Sequence, residues 1–339
     1  MKSYTNSTLK EFNTFHIHAL AESIVVFETE QEAQKFFKEY HSAEENYLVI
    51  GGGSNLLFTS DFKGKIFKIE NKGFQVIDEK GPDVWVKVAA GEEWDDLVAW
   101  AVDQGFGGIE NLSLIPGTVG AAPVQNIGAY GVEFKNIFNS LEAIEIADGE
   151  KRSFYLQELE FDYRHSIFKG AFKNKFLITS VVIKLSKFPK LDLHYGHLKE
   201  VAQEMSGKSY PDISDIRKAV IKIRESKLPN TDVLGNAGSF FKNPVINQND
   251  YKTILSNYPD LVSYPQENDK YKLAAAWLIE KAGLKGYQKG SAAIHEQHAL
   301  IIVNIGNATG KEIQELAAYI QEKVKDKFGI SLEAEVLMV

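Results

Sequence analysis

The sequence has no cysteine among its 339 residues. That excludes disulfides, thiolate metal sites, a cysteine nucleophile and cysteine-linked cofactors, and it fits a reducing compartment. No block of lysine and arginine stands out and the net charge is −8, so the phosphate-neutralising footprint of a nucleic-acid binder is missing. No apolar run approaches the roughly 20 residues that span a bilayer. The first twelve residues are polar and lack the apolar core of a secretory signal. A cytoplasmic chain is the expectation. The eight histidines are scattered. His16 and His18 sit two apart, His295 and His298 three apart, and no HExxH spacing occurs, so they read as packed or surface side chains and no metal is expected. Internal repeats and low-complexity segments are also missing.

What is present is the composition of a globular protein, with 44% hydrophobic and 25% charged residues. The length implies two or three domains. Residues 1–70 read as a small α/β unit: a strand at 24–27, a helix at 31–40 with Ala33, Phe36 and Phe37 on one face, a short strand ending at Ile50, and a strand at 65–69. Residues 71–205 read as a second unit. Val84, Val86 and Val88 alternate with Trp85 and Lys87 as in a half-buried strand, 93–104 has a helical apolar face closed by Gly105, and strands follow at 141–147 and 176–185. Residues 206–339 read as a third unit, with helices at 214–224, 271–281 and 310–328, a strand at 299–305, and a terminal strand at 331–339 with Glu333 and Glu335 on one face.

The chain is organised around residues 111–131, NLSLIPGTVGAAPVQNIGAYG, which carry no charge between Glu110 and Glu133. Small residues allow close backbone approach, glycine permits positive φ, and rows of free N–H groups bind anions. Two readings stand: a cradle for a phosphate-bearing cofactor, or a tightly packed structural loop. Upstream, the apolar run Leu48-Val49-Ile50 meets Gly51, Gly52, Gly53, Ser54 and Asn55. A strand entering a glycine turn can aim backbone donors at phosphate. No capped helix follows, so the dinucleotide fingerprint is not met, and a hairpin turn explains the motif nearly as well.

Four further stretches bear on chemistry. Arg164 lies among Phe161, Tyr163 and Ser166. An arginine held there can grip a carboxylate or a developing oxyanion, or simply stack on Tyr163 at the surface. Ser239, in the glycine- and asparagine-rich stretch 235–244, lacks the GxSxG elbow of a nucleophile. It is either a proton donor set up by its neighbours or a hydrogen-bonded turn serine. Tyr195 precedes Gly196 on a loop. Glu335 is of interest if the last strand returns to a pocket.

Together these stretches resemble the UDP-N-acetylenolpyruvoylglucosamine reductase family along essentially the whole chain. The resemblance rests on Asn13-Thr14-Phe15, Gly51 to Asn55, IPGTVGAAP at 115–123, QNIGAYGVE at 125–133, YRHSIFK at 163–169, KLP at 227–229, GNAGSFFKNP at 235–244 and LEAEV at 332–336. His165 stands where relatives often carry Asp or Asn, and Leu337 where they often carry a basic residue. The resemblance implies an α+β fold: an FAD-binding fold of the vanillyl-alcohol-oxidase type in two subdomains (1–70 and 71–205), then a substrate domain (206–339) whose last strand returns to the active site. It implies non-covalent FAD, and NADPH that reduces the flavin and leaves. Hydride then passes from flavin N5 to the methylene carbon of the enolpyruvyl ether of UDP-N-acetylglucosamine, giving UDP-N-acetylmuramate for peptidoglycan precursor synthesis.

In that scheme Arg164 and Glu335 stabilise the enolate and Ser239 supplies the proton. The cofactor set is Gly51, Gly52, Gly53, Ser54, Asn55, Pro116, Gly117, Thr118, Gly120, Ala121, Ala122, Asn126, Gly128, Ala129 and Tyr130, with Arg224 on the flavin side. Tyr163, Tyr195, Lys227, Lys242 and Asn243 match substrate contacts, and Tyr195 within LHYGHL is similar to the subclass whose mobile loop brings a tyrosine over the substrate. A monomer acting on small molecules, without nucleic acid or membrane, is implied. A flavin oxidase lacks support because the Ser239 and Glu335 motifs match the reductase. A non-catalytic UDP-sugar binder would need one of the three catalytic positions altered.

Overall fold

The computed structural model describes residues 1–40 and 46–339. They gather into two compact units that interleave along the chain. One comprises Met1–Ser7, Ala21–Gly52 and Lys63–Ser226, the other Thr8–Leu20, Gly53–Phe62 and Lys227–Val339. The fold is α+β, and among the described residues no helix is long and apolar enough to cross a membrane.

The first unit holds two sheets. In the smaller, the strands run Lys2–Thr8, Leu20–Phe27, Phe62–Ile69, Tyr47–Ile50 in spatial order. Tyr47–Ile50 pairs in parallel with Lys65 to Lys68, so its C-terminal end delivers the glycine turn. The helix Glu30–Glu39 is capped by Thr29 and buries Ala33 and Phe37. Phe27, Phe37 and Phe67 meet there at ring centroid distances of 5.1–6.2 Å. The larger sheet is antiparallel, in the order Lys151–Tyr155, Phe138–Glu145, Phe176–Ser186, Asp83–Ala89, Phe74–Lys80. The alternation of its valines places Val84, Val86 and Val88 at 0% exposure, with Trp85 turned outward under the ammonium groups of Lys80 and Lys184. The helix Trp94–Asp103 covers this core, and the Trp94 indole donates to the Leu112 carbonyl at 2.9 Å. One side of the cradle is thereby tied to a buried helix.

The second unit has a sheet ordered Gly235–Ser239, Ile301–Asn304, Ala292–Ile294, Gln288–Lys289, and a three-stranded sheet ordered Val245–Asn247, Lys270–Leu273, Ser263–Gln266. Its longest helix, Gly310–Phe328, begins in a reciprocal cap between Thr309 and Glu312 and ends at Gly329 in the left-handed region. Ile313, Leu316, Ala317, Ile320 and Val324 form its buried face.

Three sequence expectations are corrected. The helix expected at 271–281 starts only at Ala275. Lys270–Leu273 is the central strand of the three-stranded sheet, and Tyr271 stacks flat on Tyr251 with centroids 3.8 Å apart. Cross-strand pairing and ring stacking outweigh the alanine-rich helical pattern that continues past it. The terminal strand expected at 331–339 is regular only at Leu337–Met338, which pairs in parallel with Leu56–Leu57, with a bridge from Ala334 to Phe241. Glu333 and Glu335 accordingly differ in environment, the first exposed and the second half-buried. The helix Ile213–Glu225, grouped by sequence with the C-terminal residues, lies in the first unit. Its apolar face (Ile216, Ala219, Val220) packs on Leu198 and Ala202 of the helix Leu198–Ser206, and Arg217 grips Asp95.

Gly310 shows how tightly the long helix is seated: a Cβ there would lie 1.7 Å from the carbonyl oxygen of Phe58. Gly310→Ala is therefore expected to destabilise the protein by about 1–3 kcal/mol, the range for an overpacked interior. Denaturant unfolding of both forms measures it.

Candidate active site

The glycine turn and the uncharged stretch meet in the first unit. A Cβ on Gly51 would fall 2.7 Å from the Thr118 hydroxyl and 2.8 Å from the Ala121 methyl, and one on Gly52 would fall 3.0 Å from the Gly117 Cα. Behind them, a Cβ on Gly120 would meet Ala90 at 2.7 Å. The contact is packed as the structural-loop reading requires, and the cradle reading turns on which backbone donors stay open. The N–H groups of Val119, Gly120, Ala121 and Ala122 are spent on backbone carbonyls. Those of Gly51, Gly52 and Thr118 donate to no acceptor among the described residues. A phosphate-bearing group fits this arrangement: small residues clear the approach, and open donors remain at its edge. Gly53, Ser54 and Asn55 belong to the second unit, where Gly53 at φ +69° has no room for a side chain against the Phe12 carbonyl. Pro116 precedes the close approach at Gly117, and Ala122 is buried.

Beyond the cradle the chain makes a small hairpin, Gly128–Ala129 with Val132–Glu133. Asn126, at 0% exposure, braces it from within by donating to the Glu133 carboxylate and the Asp162 carbonyl and accepting from the Lys135 N–H. That role is structural and answers why an amide is needed there. Arg164 sits in the tight turn closed by Asp162 and His165. Its guanidinium donates to the Gly128 carbonyl at 2.9 Å and lies 5.3 Å from the centre of the Tyr163 ring. Stacking on Tyr163 therefore does occur, and it pre-orients the group. Four residues around this region, Leu114, Asn126, Tyr130 and Arg164, have φ between +47° and +59° without being glycine. Such conformations cost energy and gather where a site over-determines the backbone.

Tyr195 is half exposed and meets the Tyr130 ring edge-on, with centroids 5.8 Å apart. Arg224 reaches the same neighbourhood from the helix Ile213–Glu225. Its Nε is shut off from solvent and has no hydrogen-bond partner among the described residues. Burial pulls its pKa down, against the pull of Tyr130 and Asp95. A desolvated guanidinium keeps its charge and is stabilised by an anion brought beside it. Asp95 is already committed: it takes both Arg217 nitrogens, at 2.6 and 2.9 Å, and the Leu114 N–H. Burial raises the Asp95 carboxyl, but the Arg217 pair and the backbone donor outweigh it and its pKa is lowered. Sequence reading missed the Asp95–Arg217 clamp, since 122 positions separate the partners.

In the second unit, Ser239 ends the strand Gly235–Ser239 opposite Ile301, after a register shift at Gly238, whose φ is +68°. Its hydroxyl makes no hydrogen bond among the described residues, so the turn-serine reading does not hold. The next residue, Phe240, accepts the Glu335 N–H at 2.8 Å. Ser239 and Glu335 thus come from neighbouring, hydrogen-bonded segments. Asn55 donates to the Glu335 carbonyl at 3.2 Å, and its own carbonyl accepts the Leu337 N–H at 3.0 Å. In this unit the asparagine of GGGSN fastens the returning strand. Lys242 pairs with Glu333 at 2.5 Å. Asn243 caps the helix Ala275–Lys281 by accepting the Ala275 N–H, which leaves its amide nitrogen for other contacts. Lys227 is exposed. Burial and the Lys227 charge both hold the His298 imidazole below its usual pKa, and hence neutral. His16 sits 2.8 Å from the Thr231 carbonyl, as a packed histidine would.

The chain is similar to known proteins over its full length. Residues 21–154 match the family described as FAD binding domain, and residues 229–339 match UDP-N-acetylenolpyruvoylglucosamine reductase, C-terminal domain. A UDP-N-acetylenolpyruvoylglucosamine reductase from Flavobacterium johnsoniae is 44% identical across 100% of both chains. One from Pseudomonas aeruginosa is 43% identical over 97% of this chain and 96% of its own. The crystal structure of UDP-N-acetylenolpyruvylglucosamine reductase from Thermus caldophilus superposes with a TM-score of 0.68 at 27% identity, covering 99% of this chain and 98% of that one.

Two measurements test the geometry. Gly51→Ala, whose methyl would collide with Thr118 and Ala121, is expected to purify with little FAD; the ratio of visible to ultraviolet absorbance reports the loss. Asp95, with its folded pKa lowered, adds stability above its unfolded pKa of about 3.9 and loses it as pH falls through the folded value. The stability gap between wild type and Asp95→Asn in urea unfolding is therefore expected to be open at pH 6 and to shrink below pH 4.

Proposed function

The chain belongs to the UDP-N-acetylenolpyruvoylglucosamine reductase family of FAD-dependent oxidoreductases, and from that premise we propose that it reduces the enolpyruvyl ether of UDP-N-acetylglucosamine to UDP-N-acetylmuramate. NADPH is the electron source, and the product serves peptidoglycan precursor synthesis. The enzyme acts in the cytoplasm, as a monomer, on small molecules. The observation that carries the reading is the juxtaposition of Ser239 and Glu335 through the Phe240–Glu335 backbone bond in a chain that also keeps Arg164.

FAD, when bound, supplies a hydride to the methylene carbon of the substrate. The remaining work falls to side chains. As the carbon–carbon double bond opens, its electrons move toward the substrate carboxylate. Arg164 pairs with that growing charge, and Glu335, in its acid form, donates a hydrogen bond to it. Donors aimed at developing charge contribute roughly 3–4 kcal/mol each. The Ser239 hydroxyl then gives its proton to the α-carbon, and water restores the proton to the oxygen. A serine hydroxyl that bonds to no group among the described residues can point its proton at substrate, which supports this role. Stacking on Tyr163 and the bond to Gly128 hold the Arg164 guanidinium in place before substrate arrives, so little reorganisation is left for the reaction itself.

Gly51, Gly52, Gly117, Thr118 and their neighbours cradle the phosphates of FAD, and Arg224 offers it a desolvated cation. Tyr195, Lys227, Lys242 and Asn243 take the nucleotide end of the substrate. For Lys242 this means exchanging Glu333, which is 74% exposed, for diphosphate. A solvated ion pair of that kind is worth under about 1 kcal/mol, so the exchange costs little.

Ser239→Ala separates the two half-reactions. Reduction of the flavin by NADPH needs no proton from serine and is expected to survive. Reoxidation by the enolpyruvyl ether is expected to slow by about 10²–10⁴-fold, the contribution of a positioned proton donor. Stopped-flow absorbance reads both steps, and equal loss in each contradicts the assignment. Arg164→Met is expected to keep FAD and to slow the second step by about 10²–10³-fold, in the same assay.

A further inference from the structure

Two arginines leave the helix Ile213–Glu225 about two turns apart, on one face, and meet opposite fates. Arg217 is paired. Its guanidinium forks onto Asp95, reaching one carboxylate oxygen at 2.6 Å and the other at 2.9 Å. The Arg224 side chain makes no hydrogen bond or ion pair among the described residues, and its Nε is shut off from solvent. Yet the field of Asp95 reaches both. Burial raises the Asp95 carboxyl, while the Arg217 pair, the Leu114 N–H and the charge of Arg224 lower it. Burial disfavours the Arg224 charge, and Tyr130 and Asp95 offset that. One half-buried carboxylate thus stands within the influence of two guanidinium groups, and the fork with Arg217 occupies both of its oxygens.

We propose that Arg217 is a positioning residue for cofactor binding: by holding Asp95 in the fork it keeps Arg224 unneutralised, so that a desolvated cation stays available to FAD. The proposal rests on the reading of Arg224 as a cofactor contact. The physical basis is competition between anions. A guanidinium that has lost part of its hydration gains most from the first anion that reaches it. If Asp95 were that anion, an internal ion pair would form. The cofactor would then have to break it, and to leave a half-buried carboxylate uncompensated, before taking its place. With Arg217 present the carboxylate is already compensated by two parallel bonds, the strongest geometry open to it, and Arg224 has no rival partner. Arg217 therefore acts through Asp95, without touching the cofactor itself.

The test measures FAD affinity by diluting the loaded full chain and reading the rise in flavin fluorescence, which needs no turnover. Arg217→Met removes the fork and leaves the bond from the Leu114 N–H to Asp95. It is expected to bind FAD about 10- to 100-fold more weakly than wild type, the loss expected of a charge-assisted hydrogen bond. Adding Asp95→Asn to Arg217→Met keeps an acceptor for Leu114 and removes the rival charge, and it is expected to restore most of the affinity. A clamp that served helix packing alone would not be rescued in this way. Arg224→Met is expected to bind FAD more weakly than wild type. In that background Arg217→Met is expected to cost little more, since the cation it protects is gone. Unchanged affinity in Arg217→Met, no recovery on adding Asp95→Asn, or losses in Arg217→Met and Arg224→Met that add fully overturn the proposal. If Arg224→Met itself binds FAD as wild type does, the reading of Arg224 falls first and the proposal with it. Should Arg217→Met be recovered without FAD, the Asp95→Asn, Arg217→Met double variant decides: a yellow protein supports the proposal and a colourless one overturns it.

Discussion

The structure of the first unit depends on one steric constraint: the backbone at Gly51 and Gly52 must approach Gly117 to Ala121 with no Cβ between them. Everything around that contact is arranged to permit it. The strand Tyr47–Ile50 is fixed in parallel register beside Phe62–Ile69, which sets where the glycine turn begins. On the other side, Gly120 lies against Ala90 at the end of the valine-rich strand, and its N–H donates to the Ala90 carbonyl. The Trp94 indole holds the Leu112 carbonyl, and the Asp95 carboxylate holds the Leu114 N–H. A helix in the core thus carries the cradle at its N-terminal turn. Backbone donors left open at such a contact are of the kind that can bind an anion at close range.

The second unit solves a different problem, the placement of a carboxylate near the end of the chain. A terminal segment is ordinarily frayed. Here it is fastened at both edges: Phe240 takes the Glu335 N–H, Asn55 brackets Glu335 and Leu337, and Thr59 and Leu57 hold Val339. The cost of ordering the last residues is spread over several backbone bonds, so Glu335 is presented from a braced strand beside Ser239.

Much of this was legible in the sequence because it is written in local pattern. The helix Gly310–Phe328 announces itself by its apolar spacing, its Thr309–Glu312 cap and Gly329. The strand Asp83–Ala89 shows in its alternating valines. The cradle shows in what it leaves out, side-chain bulk and charge. The motifs around Arg164, Ser239 and Glu335 pointed to a family that the full-length relatives then established. What was not legible is set by pairing at a distance. Lys270–Leu273 reads as helix until Tyr251 supplies the ring on which Tyr271 stacks. Asn243, read as a substrate contact, also serves as a helix cap because Ala275 comes to it. The Asp95–Arg217 clamp looks ordinary in sequence, since its partners lie far apart along the chain. The interleaving of the two units, with Thr8–Leu20 and Gly53–Phe62 joining the C-terminal residues, has no compositional marker at all.

The central claim is that this chain passes a hydride through FAD to a UDP-sugar enolpyruvyl ether. The most direct measurement is an anaerobic single turnover of wild-type protein, using NADPH deuterated at the transferable position, followed by mass analysis of the sugar. The account predicts bleaching of the flavin by NADPH, rapid recovery of its colour on addition of the enolpyruvyl ether, and a lactyl ether carrying one deuterium in its methyl group. A flavin that is reduced but stays reduced in the presence of this substrate, or a protein that retains no flavin, would contradict it.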